Sequence, residues 1–130
     1  MSMKRAREGF TLIELLIVVT IIGILASTAI PKFSTVKQKS YRSQAIADLT
    51  SLRTAEESFF VDSNRYATVP ELGNKFSKTT GVGFPTVMPA LSSWSATLTH
   101  PNVPGMICGV AVGVPNPVEP TAGEGEPFCK

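Results

Sequence analysis

From Phe10 to Ile30 the chain runs for 21 residues with a single charged side chain, Glu14. As a helix this run would measure ~32 Å, enough to cross the hydrocarbon core of a bilayer. The remainder has ordinary polarity, so a water-facing domain has only about a hundred residues to draw on. A domain of that size gains from a covalent staple.

Three readings account for the apolar run. The first is a plain transmembrane anchor. The second is a secretory signal peptide cut after the small residues Ser27-Thr28-Ala29. The run is long for a signal peptide, Glu14 interrupts it, and Pro31 would follow the cut closely. The third reading starts from what precedes the run. A short basic leader with Lys4, Arg5 and Arg7 ends in Glu8-Gly9, and Phe10-Thr11-Leu12-Ile13-Glu14 leads into Leu15-Leu16-Ile17-Val18-Val19.

Residues 7–14, Arg-Glu-Gly-Phe-Thr-Leu-Ile-Glu, resemble the prepilin signal shared by type IV pilins and type II secretion pseudopilins. The resemblance continues into the apolar run. It implies that prepilin peptidase cuts between Gly9 and Phe10 on the cytoplasmic side and methylates the new N-terminal Phe10. Residues 1–9 are then a cleaved leader and residues 10–31 a retained transmembrane and assembly helix. It further implies that Glu14 pairs with the α-amino group of Phe10 on a neighbouring copy during polymerisation. The partners to expect are copies of the chain itself, the peptidase, the inner-membrane pilus assembly machinery and, before assembly, the membrane. The location to expect is the inner membrane as precursor and then an extracellular filament.

Charge adds little about orientation. Lys4, Arg5 and Arg7 precede the run, while Lys32, Lys37, Lys39 and Arg42 follow it, so the positive-inside balance is close to a tie. Without residues 1–9 the chain keeps nine basic and nine acidic residues. Such neutrality implies no general attraction to nucleic acid and suits close packing of like subunits.

Helical periodicity continues past Pro31. Ile46, Leu49, Leu52, Ala55 and Phe59 recur at steps of three and four, with Lys37, Arg42, Asp48, Arg53 and Glu57 on the polar side. This predicts an amphipathic half-helix over 32–62, joined to the apolar half through a kink at Pro31. Asp62-Ser63-Asn64 is expected to end it. The stretch from Phe59 to Tyr66 also resembles pilins, in which aromatic residues close the long helix and a Tyr follows. One short helical turn is expected at 71–76. Strands are expected at 82–88, weakened by Pro85, at 94–99 with Trp94, Ala96 and Leu98 alternating, and at 106–114 with Ile107, Val110, Val112 and Val114. The Pro/Gly-rich tail 115–127 is read as irregular. The expected fold is α+β: a long bent helix packed on a small antiparallel sheet of three or four strands within a head at 63–130.

Cys108 and Cys129 are the only cysteines. In an extracytoplasmic domain the pair reads as one disulfide rather than two free thiols, worth ~3 kcal/mol for such a loop. Two Cys and one His, His100, are too few for a closed zinc site. His100 belongs to no nucleophile arrangement, and the glycines at 105, 109 and 113 lack the Lys and helix of a phosphate loop. Glu119, Glu124 and Glu126 are read as a solvated acidic loop over a calcium site, because their spacing fits no calcium-loop pattern. Trp94 is read as core in preference to an adhesive surface. No cofactor is implied, and enzyme is the least supported class.

The leading expectation is a structural subunit of a type IV pilus, with Gly9 and Phe10 for processing, Phe10, Glu14 and Pro31 for assembly, and Cys108–Cys129 as the bridge. The alternatives are a pseudopilin of a type II secretion system and, less favoured, a small secreted or membrane-tethered binding domain.

Overall fold

The computed structural model describes residues 9–130. The expected leader, apart from Gly9, lies outside the described residues. Two compact units are present, one ending at Val36 and one comprising Lys37–Lys130.

Helix α1 spans Leu12–Ser63. Its N-terminal portion is long and apolar enough to cross a membrane, and none of that apolar window is buried within the chain. Apolar side chains that their own chain leaves unburied require an apolar solvent or other chains around them. Pro31 lies inside the helix, which continues through it. The hydroxyls of Ser27 and Thr28 donate to the carbonyls of Ile24 and Leu25, at 2.8 and 3.0 Å, and that of Thr35 donates to the carbonyl of Pro31 at 3.2 Å. Hydroxyls are thus bonded into the backbone on either side of the proline. At the far end Asn64 takes a left-handed backbone, φ 55°, and donates its N–H to the Phe60 carbonyl at 2.8 Å. Asn tolerates that conformation better than most residues, so the helix stops at Ser63 as the Asp62-Ser63-Asn64 sequence suggests.

In the second unit the head follows α1 with α2 at Val69–Leu72 and a 3₁₀ turn at Gly73–Lys75. Four antiparallel strands then form a sheet in sequence order: β1 Thr86–Pro89, β2 Trp94–Thr99, β3 Ile107–Val112 and β4 Phe128–Cys129. This is the expected α+β fold at the upper end of the strand count. The register sets Trp94, Ala96 and Leu98 opposite Val112, Val110 and Cys108, so these six residues share one face. That face meets Ala45, Leu49, Leu52 and Ala55 of α1 in the hydrophobic core. Trp94 is core, at 1% exposure.

The structure corrects several local expectations. The buried helix stripe includes Ala45, Asp48 and Glu56, whereas Ile46 and Phe59 are only partly covered. Asp48, assigned to the polar side, is buried because the loop at Thr79 crosses it. Its carboxylate accepts the Thr79 N–H at 2.9 Å and the Thr79 hydroxyl at 2.6 Å. The helical turn begins at Val69, two residues before the expected start, because Thr68 and Glu71 form a capping box at its N-terminus. Strand β1 starts after Pro85 and ends on Pro89, at the sheet edge where a missing N–H is tolerated. Ile107 and Val114 are exposed, and Gly109 and Ala111 are buried instead. The cause is the tail, which lies on the outer face of β3. A Cβ on Gly109 would stand 2.7 Å from a Val118 methyl and 2.9 Å from Asn116 Oδ1, so only glycine admits the tail there.

Candidate processing and assembly site

Gly9, Phe10 and Thr11 precede the first helical residue, Leu12. The peptide bond between Gly9 and Phe10 therefore lies outside the helix, and Phe10 is 86% exposed. Thr11 and Glu14 explain why the helix begins where it does. Glu14 Oε2 accepts the backbone N–H of Thr11 at 2.8 Å and its hydroxyl at 2.8 Å, while Thr11 Oγ1 accepts the Glu14 N–H at 3.3 Å. This reciprocal arrangement is a capping box, which satisfies donors that the first helical turn leaves open. Glu14 is thereby given partners within its own chain. Thr11 was not singled out from the sequence, although a Thr followed three residues later by Glu, ahead of an apolar run, is the signal for it.

The structure brings Gly9, Phe10 and Glu14 into one short N-terminal segment. Pro31 is elsewhere on α1, and Cys108 and Cys129 are in the head. Cys108 and Cys129 face each other directly across β3 and β4 and are joined by a disulfide. More than the bridge holds the tail. Buried Asn116 donates to the carbonyls of Gly109 and Glu126 at 3.0 and 3.2 Å and accepts the N–H groups of Val118 and Glu119 at 2.9 and 3.3 Å. From the helix, Arg42 donates to the Cys129 carbonyl at 2.7 Å and Arg53 to the Gly125 carbonyl at 3.2 Å. Gly125 has φ +70°, and a Cβ there would strike the Arg53 guanidinium at 2.6 Å.

The other singled-out residues take local roles. Glu119 accepts the Thr121 hydroxyl and Glu126 the Gly123 N–H, each bracing a turn of the tail, while Glu124 accepts the Gly113 N–H and ties the tail to the end of β3. His100 is buried, stacks on Tyr41 with ring centroids 4.5 Å apart, and accepts the Asn102 N–H on Nδ1 at 3.2 Å. Glu56, which periodicity did not flag, is fully buried and accepts the Ala67 N–H at 2.9 Å, with Oε1 unpartnered. Loss of water pushes its carboxyl up to about 6; the Ala67 bond opposes the shift, and the charges of Glu71 and Glu57 add to it. Glu71 moves the other way, held at about 2 by Arg65, whose guanidinium is 2.8 Å away, and by Thr68.

Residues 4–30 match the prokaryotic N-terminal methylation motif. Over part of its length the chain is also similar to type IV pilins and to type II secretion core proteins. Among its relatives, the type IV major pilin protein PilA of Myxococcus xanthus (strain DK1622) is 48% identical over 76 residues, 53% of this chain and 34% of the relative. The type II secretion system core protein G of Aeromonas hydrophila is 38% identical over 68 residues, 52% of this chain and 48% of the relative. A fimbrial protein of Pseudomonas aeruginosa is 45% identical over 58 residues, 45% of this chain and 38% of the relative. The chain thus spans less than half the length of these curated relatives.

Proposed function

We propose that the chain is a structural, non-catalytic subunit of a type IV pilus. Prepilin peptidase hydrolyses the Gly9–Phe10 bond, residues 1–9 remain in the cytoplasm, and the amine released on Phe10 is methylated. Residues 10–31 hold the processed chain in the inner membrane with the head outside, until the assembly machinery passes it into an extracellular filament of copies. The observation that carries this reading is the N-terminal segment itself: a Gly-Phe bond ahead of the helix, and a lone carboxylate at the head of an apolar run.

A charge at the centre of a membrane helix costs ~3 kcal/mol on insertion scales. Glu14 sits near the start of the run and is bonded to Thr11, which relieves part of that cost before assembly. In the filament core, cleavage supplies a better partner. The α-amino group of Phe10 is cationic at neutral pH, and a buried carboxylate left without a counter-charge is strongly unfavourable. Glu14 of one copy docks on the Phe10 amine of the next, and this sets the axial register. Glu14→Ala is expected to insert and be cleaved, yet yield no filaments. Normal filaments at normal yield would remove Glu14 from the mechanism.

The similarity to core protein G favours a second reading, a pseudopilin of type II secretion. The Cys108–Cys129 bridge favours the pilus, since it resembles the bridged C-terminal region of many type IV pilins. Glu14 and the short, plain head favour a major subunit.

A further inference from the structure

Between Glu14 and Asp48 the chain has no acidic residue, yet Lys32, Lys37, Lys39 and Arg42 lie there. Arg42 is turned to the Cys129 carbonyl. The three lysines are exposed, and the ion pairs among the described residues, Arg65–Glu71 and Lys75–Asp62, include none of them. With no acid within reach along the helix, they lack the i, i+4 partners that usually stabilise an exposed polar stretch. Phe33 and Val36, interleaved with them, are 70% and 65% exposed. Lysines alternating with exposed apolar side chains, next in sequence to an apolar run, have the composition of a segment at the membrane surface.

We infer that Lys32, Lys37 and Lys39 bind the anionic phosphodiester head groups of the leaflet while the chain is still in the membrane. Two observations favour lipid over a second copy of the chain. Lys37 and Lys39, two residues apart on a helix, point about 160° away from each other. A single protein face does not meet both, but a surrounding layer of head groups does. Of the acids that a second copy would offer from its tail, Glu119 and Glu126 are already bonded within that tail, and Glu124 accepts the Gly113 N–H just before it. Clustered lysines beside a membrane span attract anionic lipid through charge, and salt weakens the attraction.

The inference rests on the membrane-anchored stage of the proposed function, so insertion is measured separately. The full chain is reconstituted in vesicles of phosphatidylethanolamine and phosphatidylglycerol at three to one, checked for resistance to alkaline extraction, then taken up in mild detergent. The lipid retained is quantified. The expected result is a several-fold enrichment of phosphatidylglycerol over the vesicle ratio. K32Q/K37Q/K39Q should lose most of it, K32R/K37R/K39R should keep it, and K4Q/R5Q/R7Q should retain most of it. Failure to resist extraction would overturn the anchor reading itself. An inserted chain with no enrichment, or with enrichment unchanged in K32Q/K37Q/K39Q, would overturn the lipid site. If that variant kept its lipid ratio but formed no filaments, the lysines would be assigned to contacts between copies instead.

Discussion

Glu56 carries a carboxylate into the packed face of the helix with one oxygen bonded to Ala67 and the other without a partner. Its folded carboxyl titrates at about 6 against an ordinary 4.5, so the folded state holds its proton more tightly than the unfolded chain. The stability this contributes is fully present below pH 4.5 and is lost as pH rises through 6, an effect of about 2 kcal/mol. Glu56→Gln is expected to flatten that pH dependence and raise the melting temperature of the head at pH 7.5 by several degrees, followed by Trp94 fluorescence. An unchanged pH profile would show that Glu56 is ionised at no cost in the folded head. Glu56 escaped the sequence reading because periodicity marks apolar positions and is silent on a carboxylate placed among them. The burial of Asp48 is hidden for the same reason: nothing near it in the chain announces that Thr79, thirty-one residues on, will bond to it. Glu14 differs, since its isolation inside an apolar run is visible without any structure.

At the scale of elements, the tail is where sequence and structure diverge most. Residues 115–127 have little apolar content beyond Val118 and Ala122, which suggests that the disulfide is what holds them. The structure adds Asn116 at the centre of the loop and two arginines reaching from the helix. Replacing Cys108 or Cys129 is expected to destabilise the head by about 2–5 kcal/mol, measured by denaturant melts. Asn116→Ala should cost about 2–3 kcal/mol even with the bridge intact, because buried backbone groups lose their partners. An Asn116→Ala head as stable as wild type would return the tail to the disulfide alone. β2 was legible to the residue because Trp94, Ala96 and Leu98 alternate on a face of their own. β3 was legible in place but not in facing, since the tail buries its outer side as well. The apolar half of α1 poses a different question. Gly23 and Pro31 weaken its helix, yet it is continuous here, as a bilayer requires of every unpaired backbone group. In the filament, neighbouring chains can shield the backbone, and part of 23–31 is expected to lose helix. A filament map with an unbroken helix from Phe10 to Val61 would contradict this.

As a whole molecule, the chain divides the work between a segment read almost entirely from local sequence and a head whose contacts are long-range. The apolar run and the Gly-Phe junction are written in consecutive residues, whereas the head's polar anchors, Asp48–Thr79, Arg53–Gly125 and Arg42–Cys129, join positions far apart in the chain. In the proposed function it is the first part that is processed: the chain is cut between Gly9 and Phe10 and works from the new end. Intact-mass and N-terminal sequence analysis of the protein recovered from the cell surface tests it most directly. The expected result is a chain that begins at N-methylated Phe10. A chain beginning at Ile30 would make the apolar run a discarded signal peptide, and a chain that keeps its leader would make it a plain anchor; either result would contradict the account.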